Sequence, residues 1–332
     1  MVRPTILRAL IIALVRTSVR STPQIGNVVG EMTCMCHLAV VSLISQALSV
    51  LVAPANPVLD YSTIQRQECS VLPGVSYVSI KVPETPCEVR MVKFDLSKNK
   101  DLRLEFALCK TNRAFRLTPE GMAKKTAKET GRKAVAAMNG DFFLYKKGTP
   151  KNDKPLTPER PFGITLSQGK LLERGCWGAK GYEIIGRRKD GSLGFGKLSS
   201  EGEGESFKAY MDGAEVTDAI RVWNRPLQNG KVIDGAVHVC YPKDNHKNYP
   251  RSLVGLGTNL VVFLVADARQ VGWSLGMPSA HAAEILKREG CTDAGQFDGG
   301  GSTALWLSGK NYLNRPSDGK PRPVANGLVV TQ

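Results

Sequence analysis

Alternating apolar and polar residues dominate the chain from residue 57 to residue 109 and recur further along. This period of two is typical of β-strands with one buried face. It is clearest over 75–82 and 89–96. The segment 102–108 follows after a polar turn, which predicts a hairpin with the strand before it. A continuous apolar run over 259–267 predicts instead a strand that is buried on both faces.

Two segments carry the signals of helix ends. Thr118 is a good N-cap, Pro119 suits a first turn, and a stop is expected near Gly131. Ser279 is expected to cap a second helix, which Gly290 ends. With the remaining short strands, these patterns predict an α+β fold. We expect one domain over residues 56–332, built of mixed or antiparallel β-sheets with a few flanking helices.

The first 55 residues have a different composition from the rest. Residues 1–20 are basic, residues 32–52 are apolar and nearly uncharged, and Ala53 and Ala55 supply the small residues that signal-peptidase cleavage requires. We expect residues 1–55 to be a secretory leader outside the mature fold, and the protein to be secreted or exported. If uncleaved, this leader would be a membrane anchor, and it is the only membrane contact that we expect.

Charge and cysteine usage narrow the function classes. The 332 residues carry a formal net charge of +15. The basic residues are scattered and accompany no recognised nucleic-acid module, so a nucleic-acid partner is not expected.

Of the eight cysteines, Cys34 and Cys36 lie in the leader. The other six could form disulfides, and could equally well be buried free thiols. Without a CxxC pair or a histidine cluster, we expect no structural zinc, and the sequence implies no metal or cofactor.

The stretch that concentrates chemistry is Asp298 followed by Gly299, Gly300, Gly301 and Ser302. Consecutive glycines suit a tight turn or a close approach of backbone to ligand, and their N–H groups can form an anion-binding concavity. A carboxylate beside such a turn can act as an acid, a base or a nucleophile. A plain glycine-rich turn whose aspartate caps local backbone is the alternative.

Two further segments join this one. Asn139, Gly140 and Asp141 follow a short buried strand, a common location for sites. Arg251 begins an Arg-x-x-x-Gly pattern over 251–255, and its guanidinium could clamp phosphate oxygens as a bidentate fork. The order Asn-Gly-x-Phe-Phe, Arg-x-x-x-Gly, apolar strand, helix and Asp-Gly-Gly-Gly-Ser resembles the phosphodiester glycosidase family. The ending over 322–330 is similar as well.

This resemblance, which covers about residues 75–330, implies hydrolysis of a sugar joined through its anomeric carbon to a phosphodiester. It implies Asp298 as nucleophile or general base, with Asp141 and His281 as candidate partners. The residues expected to bind the sugar or the phosphate are Arg251, Asn139, Gly140, Gly299, Gly300, Gly301, Ser302 and Glu284. The expected partner is a glycan or a sugar phosphodiester.

Two positions depart from the family pattern. Asp141 stands where the family usually has glycine, and His281 stands where it usually has a glutamate, one turn ahead of Glu284. A competing hypothesis is therefore a non-catalytic binder of anionic or phosphorylated glycans at an envelope or particle surface, which the same arginine and glycine-rich loop would serve. A nucleic-acid phosphodiesterase would need metal ligands, and the sequence shows no evident cluster of them.

Overall fold

The computed structural model describes residues 59–83, 85–110, 116–144, 160–176, 178–233 and 248–332. The predicted leader, residues 1–55, lies outside them, as does Cys240. The described strands, in chain order, are β1 Gln65–Leu72, β2 Val75–Val82, β3 Cys87–Asp95, β4 Arg103–Leu108, β5 Ala134–Asn139, β6 Thr165–Ser167, β7 Lys170–Glu173, β8 Glu183–Arg188, β9 Leu193–Glu201, β10 Lys208–Met211, β11 Ala214–Arg221, β12 Asn224–Gln228, β13 Lys231–Val232, β14 Arg251–Gly257, β15 Leu260–Ala266, β16 Asp293–Gln296, β17 Leu305–Leu307, β18 Asn311–Tyr312 and β19 Asn326–Thr331. The described helices are α1 Pro119–Thr130 and α2 Ser279–Arg288.

These strands form three sheets. The first has eight strands in the order β1-β2-β3-β15-β14-β16-β12-β13, the second has six in the order β10-β9-β8-β11-β6-β7, and the third has five in the order β18-β17-β5-β19-β4. Every pairing between the described strands is antiparallel. The domain is thus rich in antiparallel β-sheet, with two helices in the part of the chain that the structure describes.

The layers follow from which faces are apolar. Phe94 of β3 and Phe263 of β15 belong to the core that the first sheet shares with the third, their rings meeting edge to face with centroids 5.1 Å apart. On its other face the first sheet packs against Ile285 and Leu286 of α2. Met122 of α1 packs on the outer face of the third sheet. The result is a helix–sheet–sheet–helix arrangement.

Strand β15 confirms the prediction of a segment buried on both faces. Val261, Phe263 and Val265 enter the core between the sheets, whereas Val262 and Leu264 pack on the side of α2. A strand with helices or sheets on both faces has no solvent side, so its sequence reads as a continuous apolar run.

Helix α1 also begins and ends as predicted. The Thr118 hydroxyl accepts a hydrogen bond from the Gly121 N–H, and Gly131 adopts a left-handed φ of 67° at the C-terminus. At α2 the predicted cap is wrong. Pro278 occupies the N-cap position, and the Ser279 hydroxyl donates instead to Gln296 Oε1 at 2.5 Å.

The predicted hairpin between 89–96 and 102–108 is wrong too. Strand β3 pairs with β2 and β15, whereas β4 pairs with the closing strand β19 in the third sheet. The polar turn between β3 and β4 therefore crosses from one sheet to the other. Both strands face the shared core, with Phe94 and Phe106 in the same apolar cluster, and an apolar pattern cannot tell a neighbour across the core from one in the same sheet.

Candidate active site

The first and third sheets are joined at the ends of their central strands. Strand β5 ends at Asn139, and β16 ends at Gln296. The backbone then makes two bonds, from the Phe297 N–H to the Ser252 carbonyl at 2.8 Å and from the Asp298 N–H to the Gly140 carbonyl at 2.9 Å. This junction delivers the sequence-predicted Asp298 and Asn139 to one place, although 159 residues separate them in the chain.

Asn139 uses its whole amide to hold this junction. It is fully buried; Nδ2 donates to the Asp298 carbonyl at 2.7 Å, and Oδ1 accepts from Ser252 Oγ at 2.8 Å and from the Ala304 N–H at 3.2 Å. Gly140 is tightly packed as well, and a Cβ at this position would stand only 2.6 Å from Asn326 Oδ1. Both residues fix the backbone at Asp298 from below the surface of the site.

The three glycines are required for three different reasons. A Cβ on Gly299 would stand 2.5 Å from the Pro250 carbonyl oxygen. Gly300 has a φ of 58°, in the left-handed region, and its N–H donates to that same carbonyl at 3.1 Å. A Cβ on Gly301 would collide with the ion pair between Arg322 and Asp318. The Gly300 amide is thus engaged within the fold, and the close approach that this run permits is to the protein itself.

Asp298 lies in the wall of a pocket of about 420 Å³. Its side chain is largely buried, with 8% of the residue exposed, and this burial raises its pKa to about 7. Hydrogen bonds from the Ser302 side chain and the Gly299 backbone and the charge of Arg322 act in the opposite direction, whereas the nearby charge of Asp141 adds to the increase. At neutral pH this carboxyl group therefore exchanges its proton readily.

Asp141 is buried more deeply, with 1% of the residue exposed, and it does not line the pocket. Its Oδ2 accepts from the Gly163 N–H at 2.6 Å, and its Oδ1 lies 3.3 Å from Arg221 Nη1. Burial raises the pKa of this carboxyl group to about 6, and the Arg221 charge offsets part of the increase. The structure therefore places Asp141 in a buried ion pair next to the pocket.

Three arginines line the same pocket as Asp298: Arg251, Arg269 and Arg322. Arg251 Nε donates to the Met277 carbonyl at 3.0 Å, and the Tyr249 ring lies 5.7 Å from its guanidinium and 5.1 Å from that of Arg269. Arg322 pairs with Asp318 at 2.5 Å. The lining thus holds three guanidinium groups and one carboxyl group, and although Asp318 offsets the charge of Arg322, the balance still favours an anionic ligand.

Arg269 has a backbone conformation that is unusual for its residue type. Its φ of 62° is in the left-handed region, which costs free energy for a residue with a side chain and recurs at functional sites as well as in turns. The sequence interpretation included Arg251 but not Arg269, nor Arg322 as a site residue. The sequence held a signal for each of them. Arg269 follows the buried strand over 259–267, and Arg322 is the first residue of the family-like ending over 322–330.

Phe142, Phe162 and Trp223, which we call the aromatic wall, line another part of the pocket. The ring centroids of Phe142 and Trp223 are 3.9 Å apart, and those of Phe142 and Phe162 are 6.5 Å apart. Phe143 also lines the pocket and joins the core against α1. From sequence alone, Phe142 and Phe143 are expected to be core rather than sugar platform, and Trp223, Trp273 and Trp306 are possible stacking residues of unknown placement. The structure places Phe142, Phe143 and Trp223 in the lining and Trp273 and Trp306 outside it.

His281 and Glu284 do not line this pocket. Both lie on α2, where Glu284 Oε1 is 3.5 Å from Arg288 Nε and adds to the rise in the pKa of Tyr61. Helix α2 contacts the pocket lining through Ser279, whose hydroxyl donates to Gln296. The structure thus brings Asp298, Arg251 and the three glycines into one pocket lining, which does not include His281 and Glu284.

A larger cavity of about 630 Å³ lies elsewhere, on the first sheet. Its charged lining residues are already paired with protein partners, as Lys93 Nζ is 2.8 Å from Glu289 Oε2 and 3.8 Å from Glu68 Oε1. It therefore offers less to a ligand than the pocket around Asp298.

Three other features bear on the class of site. Within the described ranges, no group of three or more histidine, cysteine or acidic residues could hold a metal ion. The five cysteines that the structure describes are free thiols, of which Cys69 and Cys176 are exposed and Cys87, Cys109 and Cys291 buried. No helix in the described part is long and apolar enough to cross a membrane.

A sequence model of the phosphodiester glycosidase family matches residues 132–331, and the chain belongs to that family. The match includes the junction at Asn139, Arg251 and the run from Asp298 to Ser302. No curated protein matches the sequence.

Solved structures with a similar fold include the catalytic domain of zebrafish N-acetylglucosamine-1-phosphodiester alpha-N-acetylglucosaminidase, auto-inhibited by its pro-peptide. It is 20% identical with a TM-score of 0.54, over 81% of this chain and 87% of that one. A hypothetical protein from Synechocystis is 12% identical with a TM-score of 0.52, over 80% of this chain and 64% of that one, so this chain spans less than two thirds of its length. A Burkholderia pseudomallei protein with a proposed exported location is 11% identical with a TM-score of 0.61, over 84% of this chain and 98% of that one. At these identities the likeness is one of fold.

Proposed function

We propose that this protein hydrolyses sugar-1-phosphodiesters, breaking the bond between the anomeric carbon and the phosphate oxygen. The observation that carries the proposal is the Asp298 carboxyl group, desolvated in the wall of a pocket that three arginines also line. Membership of the phosphodiester glycosidase family supports the reaction class. The zebrafish enzyme of similar fold acts on an N-acetylglucosamine-1-phosphodiester, which supports the choice of a sugar phosphodiester as the first substrate to test.

The charge of the pocket suits such a substrate. A phosphodiester carries one negative charge on two non-bridging oxygens, and a guanidinium can donate to both as a fork. Arg251, Arg269 and Arg322 supply the donors from three separate segments of the chain. Arg251 is buried and Arg322 is half-buried, so their attraction to the phosphate is stronger than that of surface arginines, whereas Arg269 is exposed.

The chemistry fits a single catalytic carboxyl group. The leaving group is a phosphate monoester, whose second pKa is about 6, so it departs without a strong general acid. Asp298 acts either as the base that takes a proton from the attacking water or as the nucleophile that forms a glycosyl ester, which water then hydrolyses. In both cases the C1–O bond breaks, its electron pair leaves with the phosphate, and water supplies the hydroxyl group on C1.

The raised pKa of Asp298 favours the first of these roles. A general base is most effective when its pKa lies near the working pH, and burial brings that of Asp298 to about 7. The Asn139 amide and the Gly140 carbonyl hold the Asp298 backbone, which keeps the carboxyl group aimed at the pocket. Asp141, buried and paired with Arg221, acts as a positioning residue.

We also propose an exported location, with residues 1–55 removed as a leader. The composition of residues 1–55 and the structural likeness to a protein with a proposed exported location support it. Mass spectrometry of the protein from the culture medium would locate the first residue of the mature chain. Full-length protein retained in the cytoplasm would contradict the proposal.

The test is release of free sugar from a panel of sugar-1-phosphodiesters that includes N-acetylglucosamine-1-phospho-mannoside. The full chain should release sugar with or without a chelator, and Asp298→Asn should lose at least about a thousandfold in kcat, as is typical when a catalytic group is removed. Asp101→Asn, at an exposed carboxylate far from the pocket lining, is the matched control and should keep its activity. Saturable binding without turnover across the whole panel would instead identify a non-catalytic binder of phosphorylated glycans.

A further inference from the structure

We propose that the aromatic wall, together with the side-chain amides of Asn224 and Gln296, is the subsite that holds the sugar ring. This inference rests on the proposed function, since it names the part of the same pocket that the sugar occupies. It divides the pocket into a phosphate subsite at the arginines and a carbohydrate subsite at the wall.

The wall has the chemistry of a carbohydrate platform. The face of an aromatic ring is electronegative, and the C–H face of a pyranose is apolar and weakly positive, so the two stack favourably. Phe142, Phe162 and Trp223 lie within 6.5 Å of one another by ring centroid and share the lining of one pocket. The two phenylalanine rings offer a phosphate neither charge nor donor, and Trp223 adds only its indole N–H, so this surface suits the other half of the substrate.

The two amides stand directly beside the wall. Asn224 and Gln296 are partners across the β12–β16 pair, and the Trp223 N–H donates to the Gln296 carbonyl at 2.8 Å. Both residues line the pocket, with 6% of each exposed. The Oε1 of Gln296 already accepts from the Ser279 hydroxyl, so Gln296 would offer the sugar its Nε2 as a donor. With the amide of Asn224, this donor can fix the orientation of a ring that the wall alone would only stack.

A buried ion pair holds all three rings in place. Asp141 precedes Phe142 in the chain, and its carboxylate accepts from the N–H of Gly163, the residue after Phe162. The same carboxylate pairs with Arg221, whose guanidinium lies 4.2 Å from the centroid of the Trp223 ring. One carboxylate therefore connects the three segments that carry the wall. This gives Asp141 a positioning role at a place where the family usually has glycine.

The experiment measures binding of the two halves of the substrate separately, in the full chain carrying Asp298→Asn so that turnover does not interfere. The probes are N-acetylglucosamine, mannose and glucose on one side and inorganic phosphate on the other, titrated by calorimetry. Phe142→Leu removes one aromatic contact, and Trp223→Phe, tested independently, replaces the indole by a smaller ring; each should weaken sugar binding about three- to tenfold. Phosphate binding should change less than about twofold, because the arginines are untouched.

Trp306→Phe is the matched control, since Trp306 packs against the core at α1 outside the pocket lining; it should change neither affinity. Equal weakening of sugar and phosphate in the wall variants, or unchanged sugar affinity in both of them, would overturn the proposal. The proposal would also be overturned if the chain carrying only Asp298→Asn bound phosphate but none of the sugars. If the wall variants lose sugar binding but the chain with Asp298 intact shows no turnover, the sugar subsite is supported and the proposed reaction is refuted. If the chain with Asp298 intact turns over and both wall variants bind sugar normally, the proposed reaction is supported and the subsite is refuted.

Discussion

Asp298→Asn should stabilise the protein at alkaline pH while it removes activity. Burial raises the pKa of Asp298 from 3.8 to about 7, because desolvation outweighs the opposing hydrogen bonds and the charge of Arg322. At about 1.4 kcal/mol per pH unit, this net increase means that ionising the carboxyl group costs the folded protein on the order of 4 kcal/mol. Asparagine is nearly isosteric and uncharged, so it avoids that cost. The free energy of unfolding of Asp298→Asn at pH 8.5 should therefore exceed that of the wild type by up to about 4 kcal/mol.

The pH dependence separates this effect from ordinary packing. Below pH 3.8 the carboxyl group is protonated in the folded and the unfolded chain, and the two proteins should differ little. Between about pH 4 and pH 7 the unfolded carboxyl ionises while the folded one keeps its proton, so the wild type loses stability relative to the variant as pH rises. Other buried carboxyl groups, such as Asp141, titrate in both proteins and cancel in the difference.

Urea unfolding followed by circular dichroism at pH 4.5, 6.0, 7.5 and 8.5 measures the difference directly. Asp101→Asn controls for the loss of one negative charge at an exposed position. A variant that is equally or less stable than the wild type at pH 8.5, with the same difference at pH 4.5, would refute the reasoning. It would mean that the Ser302 and Gly299 hydrogen bonds and the Arg322 charge already compensate the burial in full.

Three further outcomes follow from the same geometry. In the activity assay, kcat/KM should rise with pH through about 7, because Asp298 must be ionised to act as base or nucleophile; a flat profile between pH 5 and 9 would contradict that role. Asp141→Gly should lower the free energy of unfolding by about 3–5 kcal/mol, because it removes the Asp141 carboxylate from the buried Arg221 guanidinium, and adding Arg221→Met should recover part of this in urea unfolding; additive losses would argue against the pair. Arg269→Gly should keep the free energy of unfolding within about 1 kcal/mol, since it relieves the left-handed φ of 62°. Its KM for a sugar phosphodiester should still rise about ten- to hundredfold with the loss of a charged donor, and Arg269→Lys should recover part of it; an unchanged KM would exclude Arg269 from the phosphate subsite.

Local features of the fold were predictable from sequence because their causes are local. The cap at Thr118 and the stop at Gly131 bounded α1 as expected, since both depend on the backbone preferences of single residues. The apolar run of β15 predicted a strand with two buried faces. The pairing of β4 was predicted wrongly, because alternation marks a buried face without naming the strand that lies beside it.

The candidate site divides in the same way. Asp298, its three glycines and Arg251 were found in the sequence, because a glycine triplet beside a carboxylate is a rare local pattern. The sequence also indicated His281 and Glu284 as site residues. Both lie on α2, the helix predicted for them, but outside the pocket lining. Their placement depends on the rotation of α2 about its axis, which packing of Ile285 and Leu286 against the first sheet decides.

The sequence by itself determined most of the strands and helices and singled out the segment around Asp298 as the candidate site. Only the tertiary structure decided that Arg322 joins Asp298, that Asn139 uses its amide to hold the backbone, and that Asp141 lies buried against Arg221. The physical reason is that capping, alternation and glycine freedom act between neighbours in the chain. Burial, ion pairing and the shape of a pocket depend on segments that come together only when the sheets have packed.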